Sequence, residues 1–179
     1  MADKIDMARL KSSQIGNGAS TLFDTHNDLS LETRREMIAL LNQQLADTFD
    51  LMSQTKQAHW NVKGPQFIAL HEMFDNFAEG LEGFVDEIAE RITALGGYAA
   101  GTVRMAAQAS TLLDYPTDAV NGTDHVRALI ERYAALAAST RRAIDRADAA
   151  GDKDTADLFT QVSRDLDKWL WFLEAHVQA

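Results

Sequence analysis

The sequence predicts an all-α fold: a four-helix bundle whose second and third long helices are joined by a long crossover carrying a short helix. Three observations predict it. Apolar residues recur at steps of three and four through four long stretches, the period of a buried helical stripe. Only two prolines interrupt 179 residues. Two of the three connections between long stretches are short, marked by Gly64-Pro65 and by Gly151, whereas the connection from Gly96-Gly97 to Gly122 is long.

Residues 1–28 read as a polar tail, and residues 29–179 as the helical domain. In the tail, Lys4, Arg9 and Lys11 are offset by Asp3 and Asp6 and followed by Gly16-Asn17-Gly18, a composition that predicts a mobile segment. It serves either as a solubilising leader or as a basic arm for an anionic partner. The first long helix is expected from Thr33, where Thr33 and Glu36 have capping-box spacing, to about Trp60. Met37, Leu40, Leu41, Leu45, Phe49 and Met52 form its buried stripe. The Gly64-Pro65 link is short enough to make the next helix its antiparallel neighbour. That second helix spans Phe67 to Leu95, with Phe67, Leu70, Phe74, Phe77, Leu81, Phe84, Ile88, Ile92 and Leu95 facing inward, and Gly96-Gly97 stops it.

The crossover contains Gly101, Pro116 and Asn121-Gly122 and a short helical stretch at Val103–Ala109. A connection of this length inside a compact domain is architectural or functional. The third long helix runs from about Thr123 to Ala149, with Val126, Leu129, Ile130, Tyr133, Leu136, Ala137 and Ile144 inward and Gly151 as its terminator. The fourth runs from about Asp154 to Val177, with Leu158, Phe159, Val162, Leu166, Trp169, Leu170 and Leu173 inward. Asp152, Asp154 and Asp157 at its start suit capping and the helix dipole. An ion-attracting ring created by assembly is the alternative.

Composition narrows the function classes. There is no cysteine, which excludes disulfides and thiolate metal sites. No apolar run approaches membrane-spanning length. Met1–Ser20 has no hydrophobic signal region, so the cytoplasm is the expected location. The net charge of −10 argues against a globally basic nucleic-acid surface, though not against a small basic arm.

Five polar side chains fall into a pattern: His59, His71, Asp75, Asp86 and Glu90. His71 and Asp75 are four apart, so they share one helical face, and Asp86 and Glu90 repeat that spacing. Asp75 and Asp86 are eleven residues apart, close to three whole turns, which puts both pairs nearly in phase beside the apolar stripe. Individually such residues are more often rim histidines and solvated carboxylates; together they also fit a metal site. None of the five histidines has a glutamate three residues before it, so the Glu-x-x-His pattern of an intrabundle di-iron site is missing. One straight helix cannot bring both pairs to one ion. The inner pair alone is separated by roughly 16 Å of helix rise, against metal–ligand bonds of about 2 Å. If these residues share a metal, a partner must supply one of the pairs, and two copies of the helix packed antiparallel about a two-fold axis would do so.

Ala58-His59-Trp60-Asn61-Val62-Lys63-Gly64, His71-Glu72-Met73-Phe74-Asp75, Asp86-Glu87-Ile88-Ala89-Glu90-Arg91 and Leu95-Gly96-Gly97 together resemble the Dps family, the DNA-binding proteins from starved cells. Ser163–Phe172 resembles that family's final helix. The resemblance implies a ferritin-like bundle assembled into a hollow homo-oligomer of twelve subunits. It implies oxidation of ferrous iron, with hydrogen peroxide the favoured oxidant, storage of ferric mineral, and no organic cofactor. Carried over by position, His59, His71, Asp75, Asp86 and Glu90 match its ferroxidase ligands, shared across two-fold interfaces. Trp60 matches an aromatic residue beside that site and is a candidate electron donor. In such a shell Asp148, Asp152, Asp154 and Asp157 would line an iron-entry pore, and Lys4, Arg9 and Lys11 would contact DNA. The expected function is an iron-oxidising, iron-storing mini-ferritin that protects DNA; the alternative is a DNA-compacting nucleoid protein with secondary iron chemistry.

Overall fold

The computed structural model describes residues 22–178. Lys4, Arg9 and Lys11 lie outside the described residues. Five helices follow one another: α1 (Leu31–Asn61), α2 (Phe67–Ala94), α3 (Val103–Ala109), α4 (Gly122–Ala149) and α5 (Lys153–Glu174). α1 packs along α2 and α4 along α5, giving two hairpins laid together as a four-helix bundle, with α3 of the crossover against α1. Among the described residues there is no strand, only an isolated bridge between Lys63 and Asn121.

Four of the five helices start at a capping side chain, and the bounds of α1 and α5 differ most from the sequence expectation. α1 begins two residues before Thr33, because the Ser30 side chain accepts the Thr33 N–H at 3.1 Å. Glu36 closes no capping box there; its carboxylate accepts from Arg146 at 3.2 Å on the surface. α5 begins at Lys153 with Asp152 as its cap and ends at Glu174, three residues short of Val177. α4 carries a full capping box between Asn121 and Asp124. Gly64, Gly96 and Gly151 take the positive φ angles that these helix-terminal turns require.

The core has two parts. Leu51, Leu70, Phe74, Phe77, Leu81, Phe84, Tyr133, Leu136, Val162 and Leu166 fill the half nearest the α1–α2 link. Met37, Leu41, Leu45, Ile88, Ile92, Leu95 and Phe159 fill the other. Burial of each large side chain contributes about 1.5–3 kcal/mol. Trp169 bridges the hairpins: its indole lies over Gly80, where a Cβ would stand 2.5 Å from the ring, and stacks on Phe77 at 5.5 Å. Phe67, expected in the buried stripe, is 43% exposed, in a run of exposed residues from 63 to 69 that takes in the first turn of α2.

The crossover is fastened rather than loose. The buried Asp47 carboxylate accepts the Thr111 N–H at 2.7 Å, and Asp50 accepts the Ser110 hydroxyl at 2.6 Å. Arg132 donates to Gln54 at 2.9 Å and to the Asp114 carbonyl. Every buried charge here has a partner, as a low-dielectric interior requires. The segment before α1 is also fixed: the Phe23 N–H donates to the Gly96 carbonyl at 2.8 Å, and Leu22 and Leu29 pack on the core. Residues 22–28, read as the end of a tail, are therefore tied to the end of α2. Among the described residues no helix is long and apolar enough to cross a membrane.

Candidate metal centre

The α1–α2 link folds the last turn of α1 back beside the first turns of α2. Val62 ends α1, Gly64 turns at φ +111°, and α2 starts at Phe67. His59 and His71 consequently face each other. Their rings stack with centroids 3.7 Å apart and planes 21° from parallel. Each ring is also bonded to the other residue's backbone: His59 Nδ1 to the His71 carbonyl at 2.8 Å, His71 Nδ1 to the His59 carbonyl at 2.9 Å. A carbonyl can only accept, so each Nδ1 carries the proton. In the neutral imidazole that leaves each Nε2 with a free lone pair, the arrangement in which a histidine ligates a metal while its other nitrogen is oriented by the protein. His59 is buried and His71 half-buried.

Asp75 lies one turn beyond His71, with Oδ1 3.9 Å from His59 Nε2. Its carboxylate is hydrogen-bonded to the Lys56 ammonium. That bond holds Asp75 below the usual carboxylate range, with lesser help from the nearby charges of His59, Lys56 and His71. Lys56 went unnoticed in the sequence, although its place one turn before His59 puts it on the same face of α1. Its ammonium also stands 6.0 Å from the centre of the Trp60 ring, which is 67% exposed. Phe67 lies against His71 with ring centroids 5.1 Å apart.

Asp86 and Glu90 are exposed at the far part of α2, roughly 16 Å or more along the axis from Asp75. Asp86 opens onto a groove of about 540 Å³ whose wall includes Leu45, Val85 and Ala89. Among the described residues of one chain, no three histidine, aspartate or glutamate side chains are grouped to hold an ion. The chain brings His59, His71 and Asp75 to one corner without closing them around an ion, and leaves Asp86 and Glu90 apart from them. Imidazole nitrogens and carboxylate oxygens form a donor set that suits Fe(II) and also accommodates Mn(II), Co(II) and Zn(II).

The acidic residues of the α4–α5 turn separate into two kinds. Asp152 points inward: it is buried, accepts the Thr155 N–H at 3.0 Å and pairs with Arg91 at 2.6 Å. Capping α5 and pairing with Arg91 occupy its carboxylate. Asp148 pairs with Lys153 at the surface. Asp154, 3.5 Å from Arg91, and Asp157 are exposed.

A family model described as Ferritin-like domain matches residues 38–179. The DNA protection during starvation protein of Agrobacterium fabrum is 53% identical over 154 residues, covering 86% of this chain and 95% of that protein. The protein of the same name from Mycolicibacterium smegmatis is 34% identical over 151 residues, covering 84% and 82%. Among solved structures, Mycobacterium smegmatis Dps is similar with a TM-score of 0.84 at 33% identity, covering 89% of this chain and 96% of that one. DpsC from Streptomyces coelicolor is similar with a TM-score of 0.85 at 29% identity, covering 89% and 93%.

Proposed function

Because the chain belongs to the Dps family of ferritin-like proteins, we propose that it stores iron and protects DNA by oxidising Fe(II) with hydrogen peroxide. Iron is the substrate and a ferric mineral the product. One observation carries the reading: two stacked histidines, each with Nδ1 committed to a carbonyl and Nε2 left free, beside an aspartate held by a lysine. His59, His71 and Asp75 form one half of the centre. Asp86 and Glu90 of a partner subunit form the other half, in a homo-oligomer of twelve. An arriving Fe(II) takes the place of the Lys56 ammonium on Asp75. Peroxide accepts two electrons, so two Fe(II) ions supply them together and both oxygens end as water, oxide or hydroxide, without release of hydroxyl radical. Trp60, open to solvent beside His59, is placed to give up an electron when only one iron is present.

The test loads the protein anaerobically with Fe(II), then adds peroxide and follows peroxide loss and mineral growth together. We expect two irons oxidised per peroxide, and a His59→Ala/His71→Ala variant that oxidises iron no faster than buffer. Peroxide loss without iron oxidation would reject the reading. In the same assay, Asp154→Asn/Asp157→Asn is expected to slow uptake at low salt, because exposed carboxylates around a narrow entrance raise local cation concentration. Unchanged uptake would remove these two residues from any pore.

DNA contact is assigned to Lys4, Arg9 and Lys11, outside the described residues, repeated on every subunit of a shell. One tail offers few phosphate contacts, and multivalency amplifies them. Deleting residues 1–20 is expected to abolish DNA retardation at low salt while leaving iron oxidation intact. Equal retardation by the truncated protein would place DNA binding elsewhere.

A further inference from the structure

We propose that the N-terminal corner of α4 is a positioning device for the histidine half of the metal centre: Gly122 and the Tyr115–His125 pair set where α2 begins, and so where His71 stands against His59. The inference rests on the reading of His59 and His71 as ligands and adds residues that touch no metal.

The need for such a device is visible at the start of α2. α1, α3, α4 and α5 each open with a side chain capping the first turn, whereas Gln66 makes no side-chain cap for α2. Backbone bonds alone close that first turn, from the Phe67 N–H to the Gly64 carbonyl at 3.0 Å and from the Leu70 N–H to the Gln66 carbonyl at 3.1 Å. The corner of α4 fixes it from outside, through three contacts. Lys63 in the link bridges to Asn121, the residue that caps α4. Gly122 is buried against Leu70, the residue before His71; a Cβ at 122 would stand 2.5 Å from Leu70 Cδ1. Leu70 is itself 1% exposed within the core and has little room to yield.

The third contact is His125, one turn into α4. Its ring is buried, bonded through Nδ1 to the Tyr115 hydroxyl at 2.5 Å, and set against the backbone of Asn61 and Val120. Asn61 is the last residue of α1, two beyond His59. Burial raises the Tyr115 pKa and lowers that of His125, so both rings stay neutral and share one hydrogen bond between the phenol oxygen and Nδ1. Among the described residues His125 Nε2 has no hydrogen-bond partner. A buried orphan of this kind is tolerated where the surrounding packing dictates the ring's place. One ring thus joins the end of the crossover, the end of α1 and the start of α4, at the corner where both ligand histidines turn.

The arrangement makes metal affinity sensitive to groups remote from the metal. Ligand geometry must hold within about 0.5 Å. A methyl at position 122 needs about 1 Å more room to reach ordinary contact distance from Leu70. Alanine is the better helix former, so a loss of affinity in Gly122→Ala would not come from a weaker α4.

The probe is Co(II), titrated anaerobically into the full-length assembled protein and read by its visible d–d absorption, with assembly checked by sedimentation. Gly122→Ala is expected to weaken Co(II) binding about tenfold, the usual cost of losing an outer support of a ligand. Leu70→Val added to Gly122→Ala is expected to restore it by giving the methyl room. Tyr115→Phe is expected to weaken binding in the same direction and decides the matter if Gly122→Ala does not assemble. If the variant that decides binds within about twofold of the unaltered protein, the inference is overturned. Weakening by Gly122→Ala that Leu70→Val leaves unrestored overturns it too. His71→Ala separates the two levels. If it binds Co(II) normally, the metal-centre reading itself fails; if it does not bind while Gly122→Ala binds normally, only the positioning inference fails.

Discussion

Two inactive variants mixed together are expected to recover iron oxidation. One carries His59→Ala/His71→Ala and the other Asp86→Ala/Glu90→Ala; each alone lacks half of every centre. The expectation follows from distance. The chain gathers His59, His71 and Asp75 at the α1–α2 link and leaves Asp86 and Glu90 exposed farther along α2, where no third donor of the same chain joins them among the described residues. In the proposed homo-oligomer a two-fold partner supplies what each half lacks. In a mixed dimer one centre receives both damaged halves and the other both intact halves, so one centre of two works. Random exchange of equal amounts makes half the dimers mixed and restores about a quarter of the centres. The measurement is peroxide-dependent Fe(II) oxidation after verified subunit exchange. Recovery absent from proven mixed dimers would falsify the shared centre.

Replacing Arg91 is expected to have the largest effect on stability. Its guanidinium pairs with Asp152 at 2.6 Å and donates to the Thr155 hydroxyl at 3.0 Å, joining α2 to the start of α5. The Asp152 side chain is 1% exposed, so Arg91→Ala strands a charge in the interior. Removing one partner of a buried pair costs about 3 kcal/mol or more, a fall in melting temperature on the order of 10 °C for a domain of this size. The double variant Arg91→Ala/Asp152→Asn is expected to lose less, because the stranded charge is gone and asparagine still caps a helix. Thermal melting at matched protein concentration checks both. A single variant melting within about 2 °C of the unaltered protein would show that water, not Arg91, satisfies Asp152.

The bundle was legible because its helices obey one period and their ends carry glycine. The in-phase placing of His71, Asp75, Asp86 and Glu90 is likewise a matter of counting along one helix. What escaped the sequence depends on partners distant in the chain. Thr33 and Glu36 satisfy the spacing of a capping box, yet Ser30 reaches the Thr33 N–H first and Arg146, on another helix, draws Glu36 outward. Asp152 shares its local composition with Asp154 and Asp157; only Arg91, sixty-one residues earlier, turns it inward. Lys56 has no meaning as a lysine until α2 folds back and sets Asp75 beside it. Phe67 continues the apolar period into a turn that stays exposed, and the period alone does not mark that limit.

The wedge of Trp169 over Gly80 also gives the protein separable optical reporters. Of the three tryptophans, Trp60 and Trp171 are open to solvent, while Trp169 is held between Gly80 and the rings of Phe77, Phe84 and Tyr133. A dissolved quencher reaches the first two more readily than the third, which is partly buried. Emission that survives quenching therefore follows the docking of the α1–α2 hairpin on α4–α5. The quenched fraction includes Trp60 and so follows events at the corner that holds His59.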